Sequence, residues 1–151
     1  MKIGFIGLGN VGSKLASSLR RNGFELFVRD LNRDTAKSLI ERGAVWGNSP
    51  REISEQVDMV ITCLPNPAAS AEVMEADDGI LAGLSPGKLW AEMSTTDEVE
   101  VRRLGQRVID KGAEPIDCPV SGGCHRAATG NISIFVGTER STFDKAFPVI
   151  R

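Results

Sequence analysis

The chain has 151 residues, 41% of them hydrophobic and 25% charged, the make-up of one globular domain with room for a sizeable core. Eighteen basic and twenty acidic residues leave a net charge of -2 with no long run of either sign, so no nucleic-acid or membrane-surface partner is expected. Three cysteines, Cys63, Cys118 and Cys124, match no zinc or Cys-x-x-Cys spacing; no metal site is expected, and reduced thiols with neither a signal peptide nor a membrane span point to the cytoplasm.

A short apolar run, Ile3 to Ile6, meets Gly7, Gly9 and Gly12 in Gly-x-Gly-x-x-Gly spacing, and apolar side chains then recur at helical spacing from Asn10 to Arg20. The pattern predicts strand, tight turn, helix. Gly7 permits the sharp turn, Gly9 lets backbone come close to a pyrophosphate, and Gly12 lets helix and strand pack closely. The N–H groups at the helix start, with the positive end of its dipole, would face the phosphates. With 16 glycines in the chain, chance supplies such a spacing too easily for it to establish a dinucleotide site by itself.

Asn22-Gly23 closes that helix, and Phe24 to Val28 predicts a second strand ending at Arg29-Asp30. Asp30 lies eighteen residues beyond Gly12, close to the roughly 20-residue spacing at which a carboxylate accepts hydrogen bonds from an adenosine ribose. Equally, Asp30, or Asn32 after it, could merely cap the helix that follows. That helix is expected over 33–42, and another over 50–56, capped by Ser49 with Pro50 in its first position.

Met59 to Leu64 is a continuous apolar run suited to a strand buried on both faces, and Leu64-Pro65-Asn66-Pro67 ends it. A helix over 68–75, a turn at Pro86-Gly87, a strand over 88–93, a polar helix over 97–111 and a strand over 114–118 follow. A further strand over 132–136 and a helix from Ser141 to Ile150 complete the chain. Such alternation predicts an α/β, Rossmann-like doubly wound sheet, mostly parallel, with helices on both faces. Residues 1–151 then form one dinucleotide-binding domain whose ligand lies at the carboxyl ends of the strands.

GLGNVG at 7–12, TCLPNP at 62–67, EMSTT at 92–96 and IDCPVSGG at 116–123 together resemble the four signature stretches of the β-hydroxyacid dehydrogenases, the group around 3-hydroxyisobutyrate dehydrogenase, tartronate semialdehyde reductase and 6-phosphogluconate dehydrogenase. The resemblance runs in register along the whole chain. It implies that Gly7, Leu8, Gly9, Asn10 and Val11 line the pyrophosphate, with Gly12 behind them, and that Asp30 meets the adenosine ribose. Leu64 and Pro65 would lie against the cofactor, and Thr95 near the nicotinamide ribose. Ser121, Gly122 and Gly123 resemble the substrate-carboxylate site, where N–H groups and a hydroxyl can hold an anion. Ser-Gly-Gly would also serve as a plain turn, and an apolar strand ending in proline needs no ligand.

His125 and Arg126 stand where such enzymes often have small residues; as a lone loop histidine, His125 is read as solvated rather than catalytic. Glu98 replaces a common proline, and Ala69 an occasional asparagine. Relatives that prefer NADP have Asn-Arg-Thr where this chain reads Asp30-Leu31-Asn32, and a carboxylate there would repel a 2′-phosphate. NAD is therefore expected over NADP, with Arg29 turned to the opposite face by strand alternation and Arg33 still within reach.

In the group resembled here, a lysine beyond the cofactor domain moves the hydroxyl proton. None of the six lysines, Lys2, Lys14, Lys37, Lys88, Lys111 and Lys145, follows a strand-end motif aimed at Ser121, so no catalytic residue is expected in this chain. A helical C-terminal domain beyond Arg151 is expected to bring the lysine and the contacts of a homo-oligomer. The expected function is the cofactor half of an enzyme interconverting a small 3-hydroxy acid and its semialdehyde. The alternative is a non-catalytic dinucleotide-binding or regulatory module.

Overall fold

A computed structural model describes residues 1–151. Its elements are β1 (Lys2–Ile6), α1 (Gly12–Arg21), β2 (Glu25–Arg29), α2 (Lys37–Glu41), β3 (Val45–Trp46), α3 (Pro50–Gln56), β4 (Met59–Thr62) and α4 (Pro67–Glu75). They continue as α5 (Ile80–Gly83), β5 (Leu89–Glu92), α6 (Glu98–Asp110), β6 (Glu114–Asp117), β7 (Val120–Ser121), α7 (Gly123–Thr129), β8 (Ser133–Ile134) and α8 (Arg140–Ile150).

Six strands form one sheet in the order β3-β2-β1-β4-β5-β6, every pairing parallel. The chain walks outward from β1 to β3, then crosses back to lay β4 on the other side of β1. That reversal opens a crevice at the carboxyl ends of β1 and β4, where the loops above the two strands diverge in opposite directions.

Strand alternation explains why both faces are covered. Ile3 and Phe5 of β1, Met59 and Ile61 of β4, and Leu89 and Ala91 of β5 enter one apolar cluster, with Leu15 and Leu19 of α1 and Val149 of α8. Their neighbours Ile6, Val60 and Trp90 enter the other, with Ile53 of α3, Met74 of α4 and Leu104 and Val108 of α6. Each fully buried side chain of this size contributes about 1.5–3 kcal/mol, so the sheet is clamped from both sides.

Side chains cap three helices at the ligand end or beside it. Ser49 Oγ accepts the Glu52 N–H at 3.0 Å, Asn66 Oδ1 the Ala69 N–H at 2.8 Å and Asp97 Oδ1 the Glu100 N–H at 3.0 Å, each satisfying a donor the helix cannot. The start of α1 has no side-chain cap and no acid in its first turn.

Four local features differ from the sequence expectation. The helix over 33–42 is a 3-10 turn, Arg33–Ala36, followed by α2, because Asn32 and Thr35 bond nearby backbone and compete with a regular helix start. β3 and α5, of two and four residues, are too short to show a periodicity. The strand over 132–136 shrinks to β8, which pairs antiparallel with β7 outside the main sheet; Phe135 and Val136 are 62% and 37% exposed, and β8 is held by β7 and by Ile134 packed against the core. Finally, α7 occupies residues read as loop, so His125 and Arg126 are helical. Its single buried residue is Ala127, which leaves no apolar stripe to read. Arg21 Nη2 donates to Ala128 O at 2.6 Å and docks α7 on α1. No helix is long and apolar enough to cross a membrane.

Candidate functional site

A cleft of about 770 Å³ lies over the carboxyl ends of the central strands. Gly7 and the start of α1 border it, Asp30 and Leu31 close one end, and Leu64, Thr95 and Gly123 border the other.

Each glycine of the turn does a different job. Gly7 has φ of 99° and a Cβ there would stand 2.2 Å from the Cys63 carbonyl oxygen; a Cβ on Gly12 would stand 2.1 Å from the Gly7 oxygen. Those two are required by the protein's own packing. A Cβ on Gly9 would meet nothing within 4 Å, so the protein does not need glycine there and the open space faces the cleft. The N–H groups of Gly9, Asn10, Val11 and Gly12 donate to no group in the protein. Four free donors at the positive end of α1, with no competing carboxylate in the first turn, make an anion cradle.

Asp30 is tied to this turn. Its Oδ2 accepts the Leu8 N–H at 2.7 Å and its Oδ1 the Asn32 N–H at 3.0 Å, leaving each oxygen a further lone pair. The cap of the following turn is Asn32, which accepts from Asp34 N–H, so Asp30 does not have the capping role that the sequence left open. Leu8 differs from its expected place: its side chain is 2% exposed in the core and its N–H is bonded to Asp30, which leaves it no donor for a pyrophosphate. Arg29, the last residue of β2, pairs in register with Ile6, the alternation the sequence implies, and still borders the cleft. Its Nη1 donates to Gly47 O at 3.1 Å, and Arg29 and Arg33 lie 5.6 and 5.4 Å from the Trp46 ring centroid, within cation–π range.

At the other end, a buried carboxyl organises the wall. Glu92, the last residue of β5, is 0% exposed. Its Oε1 accepts the Ser94 N–H at 2.9 Å and the Ser94 hydroxyl at 2.5 Å, and its Oε2 the Ser70 hydroxyl at 3.0 Å. Ser94 Oγ in turn accepts the Leu64 N–H at 2.7 Å. Burial pushes the Glu92 carboxyl above its usual range, and the Ser94, Ser70 and Thr62 groups pull it partly back. The Cys63 thiol, which borders the cleft, is raised to about 11 by burial and then by the Glu92 charge, so it stays protonated at neutral pH.

The structure brings Gly7, Gly9, Asn10, Val11, Gly12, Asp30, Leu64, Pro65, Thr95 and Gly123 to this one cleft. Ser121 and Gly122 lie exposed beside it and do not border it; Val120 faces in, and the next residue of an extended pair faces out. None of the lysines borders the cleft. Lys88 bonds the Ser54 and Glu55 carbonyls, and Lys145 the Glu114 carboxylate. No three His, Cys, Asp or Glu side chains gather as a metal site. Of the α4 face the sequence singled out only Ala69; Val73, and Ala76 just past the helix end, keep a helical spacing with it that could have revealed the rest. Glu92 and Ser94 left a fainter signal, a carboxylate closing a run otherwise suited to the core.

A family model described as the NAD binding domain of 6-phosphogluconate dehydrogenase matches residues 2–151. The chain is 37% identical over 144 residues to the mitochondrial 3-hydroxyisobutyrate dehydrogenase of Mus musculus, covering 95% of this chain and 43% of that one. It is 34% identical over 148 residues to the NAD-dependent L-serine dehydrogenase of Pseudomonas aeruginosa, covering 98% and 50%. Among solved structures, Psf3 in complex with NADP+ and 2-OPP superposes with a TM-score of 0.94 at 29% identity, covering 98% of this chain and 52% of that one. The chain thus spans about half the length of the relatives it matches.

Proposed function

The chain belongs to the family of NAD-binding domains of 6-phosphogluconate dehydrogenase, and from that membership we propose that it is the cofactor half of an oxidoreductase interconverting a small 3-hydroxy acid and its semialdehyde. The observation that carries the reading is the row of four unpaired N–H groups at Gly9 to Gly12 beside the open space at Gly9, a cradle that fits a pyrophosphate and nothing in the protein fills.

NAD or NADP is the cofactor of this family, and when bound its nicotinamide supplies the hydride chemistry. The chain's own residues bind and orient. Gly9, Asn10, Val11 and Gly12 donate to the pyrophosphate, Gly7 and Gly12 hold turn and helix in contact, and Asp30 accepts from the adenosine ribose hydroxyls. Asp30 also pins Leu8, so ribose recognition and turn geometry share one carboxylate. We assign NAD as the preferred form, since that carboxylate would repel a 2′-phosphate; Arg29 and Arg33, stacked on Trp46, soften the penalty. Leu64 and Pro65 shield the nicotinamide half from water, and Thr95 lies within the cleft near its ribose. Ser121, Gly122 and Gly123 hold the substrate carboxylate from the rim of the cleft.

The proton on the substrate hydroxyl requires a general acid/base. No lysine borders the cleft; the resemblance to the β-hydroxyacid dehydrogenases supports assigning this role to a lysine in a helical C-terminal domain that would also carry the homo-oligomer contacts. Three unpaired thiols, Cys63, Cys118 and Cys124, support placement in a reducing compartment such as the cytoplasm. The test is a protein extended through the C-terminal domain, supplied with NAD and a panel of small 3-hydroxy acids. Growth of reduced-nicotinamide absorbance supports the enzyme; binding of NAD without turnover of any member of the panel favours the non-catalytic module.

A further inference from the structure

Glu92 has no role in the mechanism above, and a carboxyl there is an expensive way to fill space. It has no exposure, takes part in none of the chain's ion pairs, and ends β5, which lies between β4 and the edge strand β6. An apolar side chain of similar volume would avoid the desolvation cost. Every group that bonds it is a donor, and the donors come from different segments: Ser94 just past β5 and Ser70 on α4. Through Ser94 Oγ the same carboxyl reaches the Leu64 N–H, the first backbone donor beyond Cys63, which is the last to join the β1 ladder. Ser94 can accept from Leu64 in this geometry because its own hydrogen is turned toward Glu92.

We propose that Glu92 is a positioning residue for the nicotinamide half of the cofactor, acting through Ser94 and Ser70 to hold the Leu64-Pro65 loop, the Thr95 strand end and α4 at one spacing. The proposal rests on the dinucleotide reading of the cleft. The three segments it joins all border the cleft, at Leu64, at Ser94 and Thr95, and at Ala69 and Val73 of α4. The adenosine end, by contrast, is organised by Asp30 and the glycine turn, which share no hydrogen bond with Glu92. Removing the carboxyl should therefore loosen one end of the cleft and spare the other. A group that merely stabilised the core would affect both ends alike.

The experiment compares wild type with Glu92→Leu and Glu92→Gln in the folded chain. Two quantities are read: exchange of the Leu64 amide hydrogen by NMR without ligand, and affinity for NAD against that for ADP, which lacks the nicotinamide half. Glu92→Leu should speed Leu64 exchange by about tenfold and weaken NAD by about tenfold, the loss of a charge-assisted hydrogen bond network, while ADP affinity stays within about twofold. Glu92→Gln retains an oxygen for Ser94 and an amide for Ser70, and should recover most of both quantities. If Glu92→Leu does not fold, Ser94→Ala severs the same link to Leu64 and should show the same NAD-specific loss. Equal weakening of NAD and ADP, or Leu64 exchange unchanged in the variants, overturns the proposal. A wild type that binds neither nucleotide overturns the dinucleotide reading, and the nicotinamide role with it, whereas Leu64 exchange unchanged beside normal NAD binding overturns the Glu92 link alone.

Discussion

Alanine in place of each motif glycine separates what the fold requires from what the ligand requires. On Gly12 the new methyl would sit 2.1 Å from the Gly7 carbonyl oxygen, so α1 must move off β1, an overpacking cost of about 1–3 kcal/mol. At roughly 2–4 °C per kcal/mol for a chain of this size, the melting temperature should fall by about 2–12 °C. On Gly7 a 2.2 Å approach to Cys63 O is compounded by φ of 99°, which adds about 1–2 kcal/mol of backbone strain, so the fall should be larger still. On Gly9 the methyl meets nothing within 4 Å and φ is not positive. There the reduced freedom of the unfolded chain should stabilise by up to about 1 kcal/mol, a rise of about 0–4 °C. Yet that methyl occupies the space in front of the free N–H groups, and NAD affinity should drop at least about tenfold. Thermal unfolding of the apo proteins and calorimetric titration with NAD measure the two effects separately. Gly9→Ala that binds NAD like wild type, or that melts as low as Gly12→Ala, refutes the division.

Asp30→Ala should weaken NAD more than NADP, because the carboxylate favours ribose hydroxyls and disfavours a 2′-phosphate; it should also speed exchange of the Leu8 amide, which loses its acceptor. Equal losses for the two cofactors would contradict the ribose role. Glu75, held by Arg103 and Arg107, has its carboxyl lowered to about 2, chiefly by the Arg103 hydrogen bond. Since its folded value lies below the unfolded carboxylate value near ~4.3, the α4–α6 link stabilises fully above that value and is lost as pH falls toward 2. The melting-temperature gap between wild type and Arg103→Ala, small because the guanidinium is half exposed, should therefore close over that acid range; a gap constant with pH would refute the link. With the Cys63 thiol raised to about 11 and Cys118 buried and raised further, alkylation at neutral pH followed by mass spectrometry should label exposed Cys124 well before the other two.

How much of this was legible depended on how local the signal was. β4 and β5 announce themselves by apolar runs, because each is buried over its own length; α6 shows an apolar stripe through Leu104 and Val108, and the glycine turn shows itself by its spacing. β3 takes its place only from pairing with β2, α5 only from packing under α3 and α4, and β8 only from β7 and the packing of Ile134 against the core; none carries a pattern of its own. α7 is held by Arg21 and by Gly130 at φ of 75° rather than by an apolar face, which is why His125 read as loop. Asp30 was located by spacing, but its bond to Leu8 spans 22 positions. The Glu92–Ser94–Leu64 relay spans 30, and such contacts exist only once the sheet has formed.

The most direct test of the central claim is calorimetric titration of the 151-residue chain with NAD and with NADP, paired with melting curves at saturating nucleotide. Saturable binding, tighter for NAD and accompanied by a rise in melting temperature, is the predicted result. No heat and no thermal shift with either nucleotide would contradict the reading of the Gly9 to Gly12 cradle as a dinucleotide site.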